Sequence, residues 1–190
     1  MEFYEVIHSR RAVRQYRPDP VPKEVLQRIL DAANWAPSGM NRQQWYFVVA
    51  SGEKKKALGA SYAKIAERYT TRWDDAERRK QFIEFAQTYG GAPVVIVALT
   101  DAAGDPATRK MNLESVSAAF ENLLLAACAE GLGSCWMTGP LQDEASLRQI
   151  LNIPYDKEIV AVTPIGYPAF QPPAPPRLDP ELKEKVLWVE

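Results

Sequence analysis

The chain has 190 residues and a mass of 21.3 kDa, 46% hydrophobic and 25% charged, the make-up of an ordinary soluble domain with material for a core. With 23 basic and 24 acidic residues its net charge is -1 and its pI about 6.0, which offers no general attraction to nucleic acid or to an anionic membrane. One histidine, His8, excludes histidine-built metal sites by count, so an enzyme of this sequence draws its reactive chemistry from a cofactor.

Nothing at the N-terminus reads as a signal peptide, because Glu2, Glu5 and the arginines at 10, 11, 14 and 17 interrupt any apolar core. No apolar run approaches the roughly 20 residues of a membrane-spanning helix, and the expectation is a cytoplasmic protein. Cys128 and Cys135 fit no metal spacing and no CxxC motif, and read as reduced, buried thiols. No internal repeat or interdomain linker interrupts the chain, so residues 1–190 read as a single domain.

A short helix over residues 3–8, closed by His8, delivers Ser9-Arg10-Arg11-Ala12-Val13-Arg14-Gln15-Tyr16, with three guanidinium groups in five residues. Extended backbone points Arg10, Ala12, Arg14 and Tyr16 to one side and Arg11, Val13 and Gln15 to the other. Ala12 leaves room for a planar or anionic ligand that Arg10 and Arg14 grip through forked, charge-assisted bonds; a solvated basic loop is the other reading of these residues. Pro18, Pro20 and Pro22 forbid regular structure, and a helix follows over about 22–35 with Val25, Leu26, Ile29, Leu30 and Ala33 on one face. Pro37 stops it and opens an amide-rich loop through Ser38, Gly39, Asn41 and Gln43 to a strand at 46–50. Such a loop has donors and acceptors for the edge of a heteroaromatic ring and no charge to desolvate; local turn capping is the alternative.

Residues 53–70 and 74–89 read as two polar helices whose aromatics, Tyr62, Tyr69, Trp73, Phe82, Phe85 and Tyr89, are mostly core, with one or two available to wall a pocket. Val94–Leu99 is continuously apolar and hence a central strand. The longest helix runs from about Arg109 to Glu130 and is apolar nearly all round, which implies burial on a second side, for instance against a second copy. A short strand at 134–138, a helix at 143–151 capped by Asp143, and a core strand at 159–163 ended by Pro164 complete the body. The proline-rich stretch 171–180 is extended, yet Leu182, Val186, Leu187, Trp188 and Val189 follow it, so residues 171–190 read as an arm wrapping a neighbour.

The arginine cluster, the Pro-Ser-x-x-Asn-x-Gln-x-Trp loop, the Gly-Ala-Pro-Val-Val strand entry, the apolar helix, the Gly-Leu-Gly turn and Gly-Tyr-Pro stand in an order that resembles the FMN-dependent nitroreductase family over residues 3–177. The resemblance implies an α+β fold: a three-layer α/β/α sandwich with a mixed, mainly antiparallel sheet, built as an intertwined homodimer with exchanged C-terminal arms. It implies FMN held by Arg10, Arg11 and Ala12 at the phosphate, Arg14 near N1 and O2, and Pro37, Ser38, Gly39, Asn41 and Gln43 from the other protomer around the ring. Trp136, Met137, Thr138 and Gly139 would back the ring, with the Thr138 backbone N–H at N5, and Arg177 would close the phosphate site. Gln44 stands where such loops usually carry proline, and Pro175 where a second basic tail residue is often found. The mid-chain flavin contact between residues 60 and 90 has no assignment.

This resemblance implies an oxidoreductase in which NADH or NADPH reduces the flavin and a small electron-poor acceptor, a nitroaromatic or quinone, takes the electrons in a ping-pong cycle. No protein nucleophile and no metal is needed. The alternatives are a substrate-specific flavin enzyme of the same fold, by reductive dehalogenation or by consuming the flavin, and a non-catalytic FMN-binding dimer. The natural acceptor, the nicotinamide preference and one- against two-electron chemistry are not legible.

Overall fold

The computed structural model describes residues 2–190. Its helices are α1 (Phe3–Ser9), α2 (Lys23–Asn34), α3 (Gly52–Tyr69), α4 (Ala76–Thr88), α5 (Pro106–Ala129) and α6 (Glu144–Leu151). Strands β1 (Trp45–Ala50), β2 (Val94–Asp101), β3 (Gly133–Ser134) and β4 (Lys157–Gly166) form one sheet in the order β1-β2-β4-β3 with every ladder antiparallel. The parallel component of the expected mixed sheet is reduced to one isolated bridge, Ala12 to Ser134.

Because β2 lies inside the sheet, both of its faces are covered, which is why its sequence does not alternate. Val95, Val97 and Leu99 face a core shared with Leu58 and Ala66 of α3, Ala86 of α4 and Leu147 of α6. Val94, Ile96 and Ala98 face a second core with Ile29 and Ala33 of α2 and Val116, Phe120 and Leu124 of α5. Helices on both faces of one sheet make the expected three-layer sandwich. In β4, Ile159 and Val162 reach the same core although three residues apart, since the register shifts opposite Ala98 and Leu99 and Val160 is bulged.

Two strand boundaries depart from the sequence expectation. β3 holds only two residues, because the Cys135 N–H donates to Thr163 Oγ1 (3.1 Å) instead of continuing the ladder; pairing returns only as a single bridge from Met137 to Val162. β4 continues through Pro164 to Gly166. Its missing N–H is tolerated at the point where the partner ladder from β3, which pairs only with Ile165 and Gly166, has already stopped. α5 starts earlier than expected, with Asp105 accepting from the Thr108 N–H (2.8 Å) and Pro106 in the first turn. α6 is capped by Asp143, which accepts from the Ser146 N–H (3.3 Å), as its sequence implied.

α5 buries Ala119, Phe120, Leu123 and Ala127 but leaves Ala118, Leu125 and Ala126 only half-buried, an apolar flank facing outwards. Residues 171–177 form no regular element, but the tail is not extended throughout as expected: the Leu182 N–H donates to the Asp179 carbonyl (3.3 Å) and the Val186 N–H to the Leu182 carbonyl (3.1 Å), making turns, while Leu178, Leu187, Trp188 and Val189 are 84–97% exposed. Among the described residues no helix is long and apolar enough to cross a membrane.

Candidate active site

The arginine segment is held by three separate elements. The Val13 N–H donates to the Ser134 carbonyl of β3, the Tyr16 N–H to the Gly90 carbonyl after α4, and the Arg17 N–H to the Tyr167 carbonyl after β4, each at 2.9 Å. Strict alternation therefore fails at Tyr16, which shares parity with Arg10 and Arg14 yet is buried. The segment bends between its anchors, and the Tyr16 hydroxyl donates to the Val13 carbonyl at 2.6 Å.

The three guanidinium groups have different surroundings. Arg10 Nε lies 3.4 Å from Glu121 of α5. Arg11 Nη1 donates to the His8 and Arg10 carbonyls, both at 2.7 Å, completing the end of α1, while its Nε is buried with no acceptor. Arg14 is exposed, has no acid partner among the described residues, and makes a long bond to the Ala12 carbonyl at 3.5 Å. Arg10 and Arg11 line a small cavity of about 260 Å³ together with Ser134, Pro168 and Gln171.

Arg14 opens instead on a cavity of about 1050 Å³ between the arginine segment and the α3–α4 hairpin. Gly90, whose turn abuts the Arg14 carbonyl, Gly91, Gly139 and Gln142 also line it. The opposite wall is aromatic. Tyr62 is tilted against Tyr89 (5.7 Å) and meets Phe82 and Phe85 edge-on at 6.5 and 6.4 Å; Phe82 in turn packs on Trp73 at 5.4 Å and Tyr69 at 6.1 Å. Tyr62 joins the two walls, for a Cβ on Gly139 would stand 3.0 Å from its hydroxyl. Burial pushes the Tyr62 phenol up, with Cys135 adding to the rise and Arg14 opposing it. Burial likewise raises the Cys135 thiol against the pull of Arg14 and Arg10, so it is a packed thiol rather than a reactive thiolate.

The amide-rich loop lies elsewhere in the protomer, on the N-terminal half of α5, and lines neither cavity. Met40, Asn41 and Gln43 all have positive φ, 55, 54 and 50°, a conformation that costs a non-glycine residue about 1–2 kcal/mol. Local bonds hold it: Ser38 Oγ accepts from the Gln43 N–H (3.0 Å) and Gln43 Nε2 donates to Asn41 Oδ1 (3.1 Å). Gln44, only 2% exposed, ties the loop to α5, donating from Nε2 to Asn112 Oδ1 (3.0 Å) and Ser115 Oγ (3.2 Å). Ser115 Oγ also accepts from the Gly39 N–H at 3.3 Å. Ser115→Ala leaves the Gly39 N–H without its acceptor and Gln44 Nε2 with Asn112 alone, and is expected to lower stability by about 1–3 kcal/mol. Urea denaturation checks this; an unchanged midpoint would mean that water replaces the hydroxyl.

Of the residues expected to form a site, Arg14 and Gly139 share the large cavity and Arg10 and Arg11 the small one. Ala12 bridges to Ser134 between them. Trp136 stands edge-on to Phe120 at 4.6 Å, Met137 is buried and Thr138 is exposed. Pro37 and Arg177 are exposed and line neither cavity. Missed by sequence reasoning were Gln15, Gly90, Gly91 and Gln142 on one wall and Arg78 on the other. Only Arg78 carried a signal, its spacing to Phe82 and Phe85.

With this geometry, the comparisons are decisive on family. The nitroreductase family model matches residues 7–167, and the chain belongs to the nitroreductase family. A protein of Methanothermobacter thermautotrophicus, provisionally named NADH dehydrogenase/NAD(P)H nitroreductase, is 29% identical across 99% of this chain and 88% of its own. The iodotyrosine deiodinase of Thermotoga neapolitana is 31% identical over 92% of each chain. A structure from Desulfovibrio desulfuricans, provisionally named a nitroreductase and solved in complex with FMN, superposes with a TM-score of 0.77 at 25% identity, covering 100% of this chain and 99% of that one.

Proposed function

We propose that this chain is an FMN-dependent oxidoreductase that takes reducing equivalents from NADH or NADPH and reduces small electron-poor acceptors, nitroaromatics or quinones, in a ping-pong cycle. The family match, the nitroreductase relatives and the FMN-bound neighbour support the cofactor and the electron donor. The observation that carries the reading is the unpaired Arg14 beside Gly139 in one large cavity walled by aromatic rings.

The residues present fit FMN. Arg11 Nε is a buried donor without an acceptor and Arg14 a cation without an anion, so the segment has binding capacity that the protomer itself does not use. Arg10, Arg11 and Arg177 would hold the phosphate, with Ala12 close by. Ser38, Gly39 and Asn41 would line the ring and its tail, with Pro37 and Gln43 shaping that loop. Bound FMN would supply the ring that accepts hydride from the nicotinamide and passes electrons to the acceptor. Arg14, as a cation at the electron-rich edge of that ring, would favour its reduced form, and the Thr138 backbone N–H would serve N5.

A homodimer would complete this site. The loop contacts Ser115 whereas Ser9 contacts Cys128, and at 1.5 Å per residue these points of α5 are about 20 Å apart. Antiparallel pairing of two α5 helices along the half-buried flank of Ala118, Leu125 and Ala126 would bring one protomer's loop to its partner's arginines. The exposed apolar residues of the arm, from Leu178 to Val189, would find burial on the same partner.

The test is an absorbance spectrum of purified protein before and after anaerobic addition of NADH and then NADPH. Flavin bands that bleach with either nucleotide are the expected result; a colourless protein that cannot be reconstituted with FMN would sink the reading. The deiodinase relative supports a second reading, reductive dehalogenation. Turnover with halogenated phenols but not with nitroaromatics would favour it.

A further inference from the structure

We infer that the α3–α4 side of the large cavity is a binding site for planar aromatic anions, with Arg78 as the residue that meets the negative group. The inference rests on the oxidoreductase reading only for the fate of the bound molecule; the site stands on its own geometry.

Arg78, Phe82 and Phe85 are spaced four and three residues apart on α4 and therefore share one face, the face that lines the cavity. The Arg78 guanidinium stands 4.8 Å from the centroid of Trp73, which fixes it as a plane over an indole at the cavity rim. Among the described residues no carboxylate pairs with its guanidinium; its backbone N–H donates to Asp75 in capping α4.

Glu84 also lines the cavity, and it borders the neighbouring surface of α4 beside Arg79 and Lys80. The cavity thus joins a cluster of rings to an oriented guanidinium. Trp73 is half-buried and Tyr69 is 64% exposed, so a flat apolar body laid on them removes aromatic surface from water. A carboxylate or phenolate on that body then takes charge-assisted bonds from an arginine already ordered by stacking. A zwitterionic aromatic amino acid gains the same bonds but brings an ammonium towards Arg78.

The experiment uses the FMN-loaded protein and three probes: 4-nitrobenzoate, the neutral 4-nitrobenzyl alcohol and the cationic 4-nitrobenzyltrimethylammonium. Binding is followed by tryptophan quenching and turnover by NADH or NADPH oxidation. Each probe is compared with itself between variants, so intrinsic reactivity cancels. In Arg78→Gln the preference for the anion over the neutral probe should fall about tenfold in both affinity and kcat/KM. Arg78→Glu should shift the preference towards the cation. Lys80→Gln, on the outer face, should leave the ratios as they are, which separates Arg78 from diffuse attraction. Equal ratios in native protein and Arg78→Gln, or the same loss in Lys80→Gln, would overturn the inference. If no probe is turned over, or the protein takes up no FMN, the oxidoreductase reading fails, and the quenching titration on the same protein still decides the anion site.

Discussion

Gly90→Ala is expected to cost about 3 kcal/mol of folding stability and to release the flavin. Gly90 sits at φ 66° in the turn after α4, where an L-residue pays about 1–2 kcal/mol. The added Cβ would also stand 2.1 Å from the Arg14 carbonyl oxygen, a backbone atom that cannot swing aside. Relief requires moving residues 14–16 off the turn, which breaks the bond from the Tyr16 N–H to the Gly90 carbonyl and displaces Arg14 from the cavity. Such overpacking adds about 1–3 kcal/mol. Urea denaturation reads the stability and gel filtration of the loaded protein reads the flavin. Gly104→Ala is the control, since nothing lies within 4 Å of the added carbon. If Gly90→Ala keeps both its midpoint and its flavin, the turn does not hold Arg14 in the way described.

The second large effect is on the cofactor phosphate. Arg10→Met should weaken FMN binding by about 100-fold while leaving riboflavin, which has no phosphate, nearly unaffected. The size follows from losing one or two hydrogen bonds between charged groups, each about 1.5–3 kcal/mol, at about 1.4 kcal/mol per tenfold. Arg10 is free to make this exchange because its present ion pair with Glu121 is long, at 3.4 Å, and half-exposed, so leaving it costs little. Fluorescence titration of apoprotein with each flavin measures both. Equal losses for FMN and riboflavin would show that Arg10 supports the local fold through Glu121 and does not touch the phosphate.

Gln44 illustrates where sequence reasoning was partly sighted. Its departure from the usual proline was visible, and suggested only a loop set differently. In the structure that residue is the loop's tie to Asn112 and Ser115 of α5, a role proline could not fill with its missing amide. Of the three left-handed residues of the same loop only Asn41 is of a type that favours that region; Met40 and Gln43 carry no signal, because such residues reach it only when surrounding bonds hold them there. Tyr16 misled in the opposite direction: alternation assigned it to the ligand side, and three anchors turned it into the core.

What the sequence by itself determined is whatever depends on neighbours along the chain. Helix faces, the Asp143 cap, the central β2 strand and the order of the arginine and amide motifs are all local, and the family followed from that order. Only the tertiary structure decided which turns meet. The large cavity joins Arg14 to Arg78 and Tyr62 to Gly139, pairs separated by 64 and 77 positions in the numbering, through packing of α3 and α4 on a sheet whose strands are drawn from residues 45 to 166. No periodicity records such a meeting, because the free energy that creates it is spread over two apolar cores and belongs to no one segment.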